Sequence, residues 1–368
     1  MPAANTESVN FTVLEKQDQH TGNLYKTLII DRIVEEADGF KTFIFREGHG
    51  IRWQAGQFLT FVQAQGADEI RRSYSISSAP DLHEPLAIGV KRIPNGFFSR
   101  KLVDTASPGD PLYTTGASGF FCLPENMQGV QHILFFAAGS GITPIYPMIK
   151  TVLHLHPQTQ VQLVYSNQSA ASTVFYQAIR QLQSRFGKTF RAHFLFSSMA
   201  DLKRARLNRE LLLGLLAAGA YDRDRTFFYV CGPAAYMRMI TYYLQEQGFR
   251  PDHIRKEDFD PKRSAMPRAL PPDTGAHWVT LKTTGRTYRL RVEYPDSILE
   301  AAKKEKIPLP YSCETGKCGS CAAQCLEGQV WLSRNEVLTE KELASGLTLT
   351  CTGHPIQGDA VLQIGPNV

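Results

Sequence analysis

No stretch of this 368-residue chain approaches the roughly 18 consecutive apolar residues that a membrane helix needs. The polar start, MPAANTESVNFTVLEKQDQH, lacks the apolar core of a secretory leader, so the expected location is the cytoplasm. Biased tracts are missing, and so are repeats at the periods that mark solenoids or propellers, which excludes disordered, fibrous and repeat architectures. Charge of one sign is not in excess: 40 Lys and Arg face 35 Asp and Glu, and the net +5 is scattered, which gives no footprint for nucleic acid. Cysteine is scarce until late, with only Cys122 and Cys231 before Cys313. Five of the seven then fall between Cys313 and Cys351, a clustering that points to metal rather than to disulfide staples.

The chain divides by rhythm. Up to about Pro124, short β-branched and aromatic runs (KTLIIDRIV, KTFIFRE, QFLTFVQ, RRSYSIS, LAIGVKRI) alternate with Gly-rich turns, a pattern that predicts a small antiparallel barrel. From Val130 to Ile254, near-continuous apolar strands (HILFFAAG, VQLVYS, FRAHFLFS, RTFFYVCG) alternate with helical stretches, which predicts a parallel α/β sheet. Residues 256–276 hold four prolines and no apolar period and read as a linker. From His277 onward come two strands, a helix (SILEAAKKEK), a Cys-rich loop and further short strands. The expected divisions are an N-terminal extension (1–23), a barrel (24–127), an α/β domain (128–255), the linker and a last α+β domain (277–368).

The Cys-rich loop carries the strongest signal. Cys313-x4-Cys318-x2-Cys321, with Cys351 after 29 intervening residues, is a spacing with which four thiolates surround a two-iron cluster. Gly316, Gly319 and Ser320 let the backbone wrap an inorganic core and aim N–H groups at its sulfurs. Structural zinc is the competing reading, although zinc sites usually pair two short C-x2-C units. Cys325 is surplus and is expected in the core of the outgoing strand. Residues 277–368 resemble a plant-type [2Fe-2S] ferredoxin domain of β-grasp fold. The resemblance implies one-electron transfer, with Cys313, Cys318, Cys321 and Cys351 as ligands.

In RRSYSISS, alternate residues of a strand share a face, so Arg72 and Tyr74, with Ile76, point one way. An arginine can fork onto a phosphate and a tyrosine can lie against a conjugated ring. An amphipathic strand with one arginine is the alternative. Downstream, Gly96-Phe97-Phe98-Ser99 reads as a glycine turn with Ser99 at the start of a helix (SRKLVD), where free N–H groups can receive a phosphate. Further on, ILFFAAGSGITPIYPMIK reads as strand, glycine turn and helix: Gly139 and Gly141 for the tight turn, Thr143 as candidate N-cap, Pro144 at the first helical position. The usual dinucleotide fingerprint is incomplete, because Pro144 stands where a third glycine would be and VQLVYS ends without an acid.

Together these elements resemble the ferredoxin–NADP reductase superfamily, whose flavin motif is R-x-Y-S-x-x-S followed by G-x-x-S, and whose nicotinamide motif is G-x-G-I-T-P with a later Cys-Gly-Pro. The resemblance implies FAD rather than FMN. It places Arg72 on the pyrophosphate, Tyr74 on the isoalloxazine, Ser75 near its reactive nitrogen, and Gly96 to Ser99 around the phosphates. Ser77, Ser78, Gly89 and Lys91 join the expected FAD set, and Ser140 the nicotinamide turn. Cys231-Gly232-Pro233 is expected beside the nicotinamide, although a lone cysteine is otherwise an inert core thiol. Glu257 and Phe259 are expected against the flavin. Tyr74, Ser75, Cys231 and Glu257 are the candidate catalytic residues. NADH and NADPH both remain open: Ser197 stands where a 2′-phosphate site would begin, but no arginine follows Ser198 directly, and Lys203, Arg204 and Arg206 are the nearby cations.

Three sites on one chain imply an NAD(P)H-dependent oxidoreductase that passes electrons from NAD(P)H through FAD to a [2Fe-2S] cluster and on to a partner. The domain order resembles reductase components of multicomponent bacterial oxygenases, in particular the phenylacetyl-CoA epoxidase reductase group, so the implied acceptor is an oxygenase, hydroxylase or desaturase. The alternatives are a partner-independent NAD(P)H oxidase or ferric/quinone reductase, and a flavin-binding scaffold whose C-terminal module holds zinc. Residues 277–368 carry ten Lys or Arg and ten Asp or Glu, so a transient contact of weak salt dependence is expected at the acceptor.

Overall fold

The structure is a computed structural model that describes residues 24–65, 68–199, 201, 205–259 and 270–365; the N-terminal extension lies outside the described residues. In the first module, β1 (Lys26–Ala37), β2 (Phe40–Phe45), β3 (Phe58–Gln65), β4 (Asp68–Ser75), β5 (Ala87–Lys91) and β6 (Pro111–Ser118) form an antiparallel sheet in the order β4-β3-β6-β1-β2-β5. Just past β4, Ile76 bridges Ile88 of β5, so the two edges meet and the sheet closes on itself as a barrel. Leu28, Phe43, Leu59, Phe61 and Leu112 fill its interior. Strand β6 (PLYTTGAS) has no large apolar run to announce it. It pairs through alternation alone, with Leu112, Thr114 and Gly116 turned inward. Helix α1 (Phe97–Thr105) buries Phe98, Leu102 and Val103 against this core. It starts at Phe97 with Gly96 as N-cap, so Ser99 is its third residue rather than its start.

The second module holds a parallel sheet, β7 (His132–Ala138), β8 (Gln160–Asn167), β9 (Phe190–Phe196), β10 (Thr226–Cys231) and β11 (Ile254–Glu257), in the order β11-β10-β7-β8-β9. Its helices are α2 (Ile142–Leu155), α3 (Tyr176–Arg185), α4 (Arg209–Ala218) and α5 (Ala234–Glu246). Along β7, Ile133, Phe135 and Ala137 join the core under α2 and α3, while Leu134 and Phe136 join the one under α4 and α5. Burial on both faces is why the run reads as uninterruptedly apolar. The strand order reverses between β7 and β10, which opens a crevice at their carboxyl ends. The linker expected at 256–276 begins inside this sheet: Lys256 and Glu257 of β11 pair with Val230 and Cys231. At four residues, IRKE is an edge strand too short and too polar for alternation to reveal. Residues 260–269 of that expected linker lie outside the described residues.

The third module is a mixed sheet, β12 (His277–Thr283), β13 (Arg286–Val292), β14 (Ala322–Leu332), β15 (Leu347–Leu349) and β16 (Gly353–Gln363), in the order β13-β12-β16-β14-β15. Only β12 and β16 run parallel, and α6 (Ile298–Lys304) packs Ile298, Leu299 and Ala302 onto the sheet. A capping box fixes where α6 begins: Ser297 accepts from the Glu300 N–H, and Glu300 accepts from the Ser297 N–H. Helix α7 (Glu340–Ala344) has the same device in Thr339 and Glu342. The Cys-rich loop runs between α6 and β14. No helix among the described residues is long and apolar enough to cross a membrane.

Candidate functional site: a cleft shared by three modules

A cavity of 1220 Å³ is lined by residues of all three modules. Strand β4 forms one wall. On one of its faces Tyr74 packs 6.1 Å from Phe61 and 6.0 Å from Phe98, ring centre to ring centre, and burial pushes its hydroxyl above the usual phenol range. Arg72, on the same face, is exposed, and its guanidinium donates to the Arg71 carbonyl at 2.7 Å. Beyond the strand, Ser77 and Ser78 do not line the cleft. The Ser77 N–H donates to the Ala87 carbonyl, the Ser78 hydroxyl accepts from the Ala87 N–H, and both residues brace the turn into β5. Gly96, Phe97, Phe98 and Ser99 do line it, as do Gly89 and Lys91. The Ser99 hydroxyl accepts from the Ile93 N–H at 3.2 Å, which folds the glycine turn onto the first turn of α1 and leaves that turn's N–H groups without helical acceptors. Gly89 has a packing reason: a Cβ there would stand 2.6 Å from the Phe40 ring and 2.7 Å from the Thr143 methyl, so its absence lets α2 seat against the barrel.

The nicotinamide turn differs in detail from its expectation. Gly139–Gly141 is a turn of 3-10 helix running directly into α2, with Gly141 as N-cap. Thr143 is therefore not the cap but the second helical residue, with its hydroxyl donating to the Ser140 carbonyl, and Pro144 is the third. A Cβ on Gly141 would stand 2.2 Å from the Cys231 carbonyl oxygen, so only glycine lets the two strand ends approach this closely. Ser140 and Thr143 line the cleft. Gly139, Gly141 and Pro144 lie behind it, as do Gly232 and Pro233. Gly232 sits against Ala138, and Pro233 caps α5. Ser197, whose N–H donates to the Asn167 carbonyl, follows β9 away from the cleft; Lys203 and Arg204 lie outside the described residues.

Cys231 is fully buried, and burial, with Glu257 and Asp258 nearby, pushes its thiol well above the ordinary range. Register places Glu257 directly beside Cys231, and the Ser75 hydroxyl donates to the Glu257 carboxylate at 3.4 Å. Ser75, Cys231 and Glu257, from three separate strands, are thus brought to one place. Burial raises the Glu257 carboxyl from 4.5 to about 8, with the Ser75 hydrogen bond opposing. A carboxyl in that range can hold or release a proton near neutrality. Phe259 lines the same wall and is 44% exposed.

Against β4 lies the cysteine loop, whose Cys313 and Cys318 line the same cavity. The Cys313 sulfur is within hydrogen-bonding reach of Cys318 and Cys351, and Cys351 is within reach of Cys321. The contact with Cys318 and Cys351 pushes the Cys313 thiol down and theirs up, as expected of thiols crowded around one place. Among the described residues no three His, Cys, Asp or Glu side chains close on a single ion. The four sulfurs form a linked row, Cys318–Cys313–Cys351–Cys321, a donor set of four thiolates of the kind that holds a two-iron cluster. The N–H groups of Thr315 and Ser320 donate to the sulfurs of Cys313 and Cys318 at 3.4 and 3.5 Å. Gly316 has φ +74°, and a Cβ there would lie 2.6 Å from the Arg334 carbonyl, so the loop closes only with glycine. Cys325, expected in the core, is half-buried on β14, packs against the core of the third module and donates to the Glu327 carbonyl.

Three family models match the chain in succession: an oxidoreductase FAD-binding domain over residues 30–122, an oxidoreductase NAD-binding domain over 135–241 and a 2Fe-2S iron-sulfur cluster binding domain over 281–355. One of the subunits that make up 1,2-phenylacetyl-CoA epoxidase in Escherichia coli K12 is 31% identical over 84% of this chain and 88% of its own length. The chain belongs to the ferredoxin–NADP reductase superfamily, in the branch with a C-terminal [2Fe-2S] domain. This reductase is also 28% identical, over 92% of its length and 97% of the relative's, to the ferredoxin reductase component of 3-ketosteroid-9-alpha-monooxygenase from Mycolicibacterium smegmatis. In fold it is similar to phthalate dioxygenase reductase (TM-score 0.56, 21% identity, 95% of this chain and 99% of that one). The reductase is an NAD(P)H-dependent oxidoreductase whose cofactors are FAD and a [2Fe-2S] cluster.

The residues that join the modules were not among those expected. Arg71 and Ser73 reach Tyr311 and Ser312 across the cleft wall, Lys317 pairs with Asp258 at 2.9 Å, and Arg255 forks onto Glu342 at 3.0 and 3.1 Å. The alternation of RRSYS held half of this signal, because whatever faces away from Arg72 and Tyr74 must face something else.

Proposed function

We propose that the reductase draws electrons from NADH or NADPH and delivers them, through its FAD and [2Fe-2S] cluster, to an oxygenase, hydroxylase or desaturase protein in the cytoplasm. The single observation that carries this reading is the shared cleft: Tyr74 and Ser99, Thr143 and Glu257, and Cys313 and Cys318 open into one cavity. A scaffold with unrelated modules would have no reason to converge them. Flavin bound there would supply the exchange between a two-electron hydride donor and a one-electron centre. Arg72 and the first turn of α1 would hold the diphosphate, and Tyr74 would lie along the ring. Ser75 and Glu257 would orient and supply a proton beside the hydride face. Cys231, buried and un-ionised, would be a positioning surface rather than a nucleophile. The names of the relatives, one from an epoxidase and one from a monooxygenase, support the class of acceptor.

Anaerobic titration of the holoprotein with NADH and then NADPH, followed by absorbance and EPR, tests the reading. The expected result is loss of the flavin absorbance followed by a reduced-cluster signal, with about two irons per chain. Bleaching of the flavin without any cluster signal would refute it. Turnover that persists undiminished when an oxygenase is withheld would favour a free-standing oxidase instead.

A further inference from the structure

Strand β4 is a wall with two used faces. Arg72 and Tyr74 serve one; Arg71 and Ser73, by the strand's alternation, serve the other. The Arg71 side chain is 6% exposed and forms an ion pair with Glu69 at 3.0 Å. It also donates to the Tyr25 hydroxyl at 3.1 Å and, from the barrel into the third module, to the Tyr311 carbonyl at 3.3 Å. Its guanidinium carbon lies 3.7 Å from the centre of the Tyr311 ring, over which Lys303 also sits at 3.9 Å. One position along β4's pleat, the Ser73 hydroxyl is 2.7 Å from that of Ser312. On the far side of the loop, Ser320 lies 3.5 Å from the Thr60 hydroxyl and 3.4 Å from that of Ser118, and Gly319 leaves room for the Phe120 ring.

These attachments bracket the cysteines: Tyr311 and Ser312 precede Cys313, and Gly319 and Ser320 lie between Cys318 and Cys321. Interfaces between domains of one chain are commonly polar and mobile. This one has a buried, neutralised cation stacked on a ring, an arrangement that salt screens weakly. We propose that Arg71 is a positioning residue: stacked on Tyr311, it latches the cluster loop to the reverse of the flavin strand and thereby sets the spacing for electron transfer between the two centres. The inference rests on the electron-transfer reading above.

The test uses the holoprotein with Arg71→Lys, which keeps the charge but loses the planar stack and the fork, and Tyr311→Leu, which removes the ring. In anaerobic stopped flow with NADH, the flavin-bleaching phase keeps its rate. The cluster-reduction phase slows by well over twofold, because a loosened loop lengthens the path between the two centres. The double variant is no slower than the slower single one, because both remove the same contact. Hydrogen exchange reads the latch without catalysis: peptides spanning 69–75 and 309–316 lose protection together in both variants. A second phase within about twofold of wild type in both variants, or exchange left unchanged, would overturn the latch, as would both phases slowing together with loss of flavin. Wild-type protein that bleaches its flavin but never reduces its cluster would instead refute the reductase reading.

Discussion

Glu257 offers a direct test of how burial tunes this site. Its carboxyl moves from an ordinary 4.5 to about 8, because it must ionise in the cleft between Ser75 and Cys231. Below pH 4.5 it is protonated in both folded and unfolded chains and has no effect on their balance. Between 4.5 and about 8 the unfolded chain releases the proton while the folded one keeps it, so stability falls as pH rises and levels off above 8. At 1.36 kcal/mol per unit the full shift is ~5 kcal/mol, and solvent at the cleft mouth screens it to about 3 kcal/mol. Glu257→Gln removes the titration and keeps the shape. Flavin release on heating, followed by fluorescence from pH 5 to pH 9, reports the melting of the modules that hold the site. For a unit of this size about 3 kcal/mol corresponds to a shift of roughly 6–12 °C. The Tm of Glu257→Gln should therefore overtake that of wild type progressively as pH rises, with little difference at pH 5. A gap between the two that stays constant across the range would show that Glu257 ionises normally and would refute the argument.

Other substitutions separate the remaining roles. Cys351→Ser should lower iron per chain and abolish the reduced-cluster EPR signal, whereas Cys325→Ser should leave both unchanged, since its thiol is directed to the Glu327 and Gly328 carbonyls. Gly141→Ala, with its new methyl 2.2 Å from the Cys231 carbonyl, should destabilise the α/β module by about 1–3 kcal/mol and raise the nicotinamide Kd in equilibrium titration. Arg72→Ala should weaken FAD retention by roughly 10- to 100-fold in a dialysis assay, the loss of about 1.5–3 kcal/mol of charge-assisted hydrogen bonding, while iron content stays the same.

What the sequence disclosed was what lies close along the chain. The spacing of Cys313, Cys318 and Cys321 is local, and only Cys351 had to be joined from a distance. The apolar strands of the α/β module were legible because both faces are buried, so each reads as one block. Strand β11 was not, because an edge strand of Ile-Arg-Lys-Glu carries no such mark, although it delivers Glu257. Helix starts misled where the N-cap is glycine: at Gly96 and Gly141 no side chain announces the cap, and Ser99 and Thr143 drew the eye inward from the true ends. Ser77 and Ser78 fit a motif, yet the Ser78 hydroxyl accepts from the Ala87 N–H, a use that the motif does not disclose. The pairing of Arg71 with Tyr311 spans 240 positions, a separation over which neither propensity nor spacing has any reach.

The two-sided use of β4 bears on how such proteins can be recombined. Cutting the chain after Phe259 and grafting on another iron–sulfur unit transfers the cysteines but leaves half of their seat behind in the barrel. A productive chimera must carry matching residues at 71 and 73 as well. A single-residue insertion in that strand would exchange its faces and mis-set both centres at once. Here the border along the chain and the functional border do not coincide.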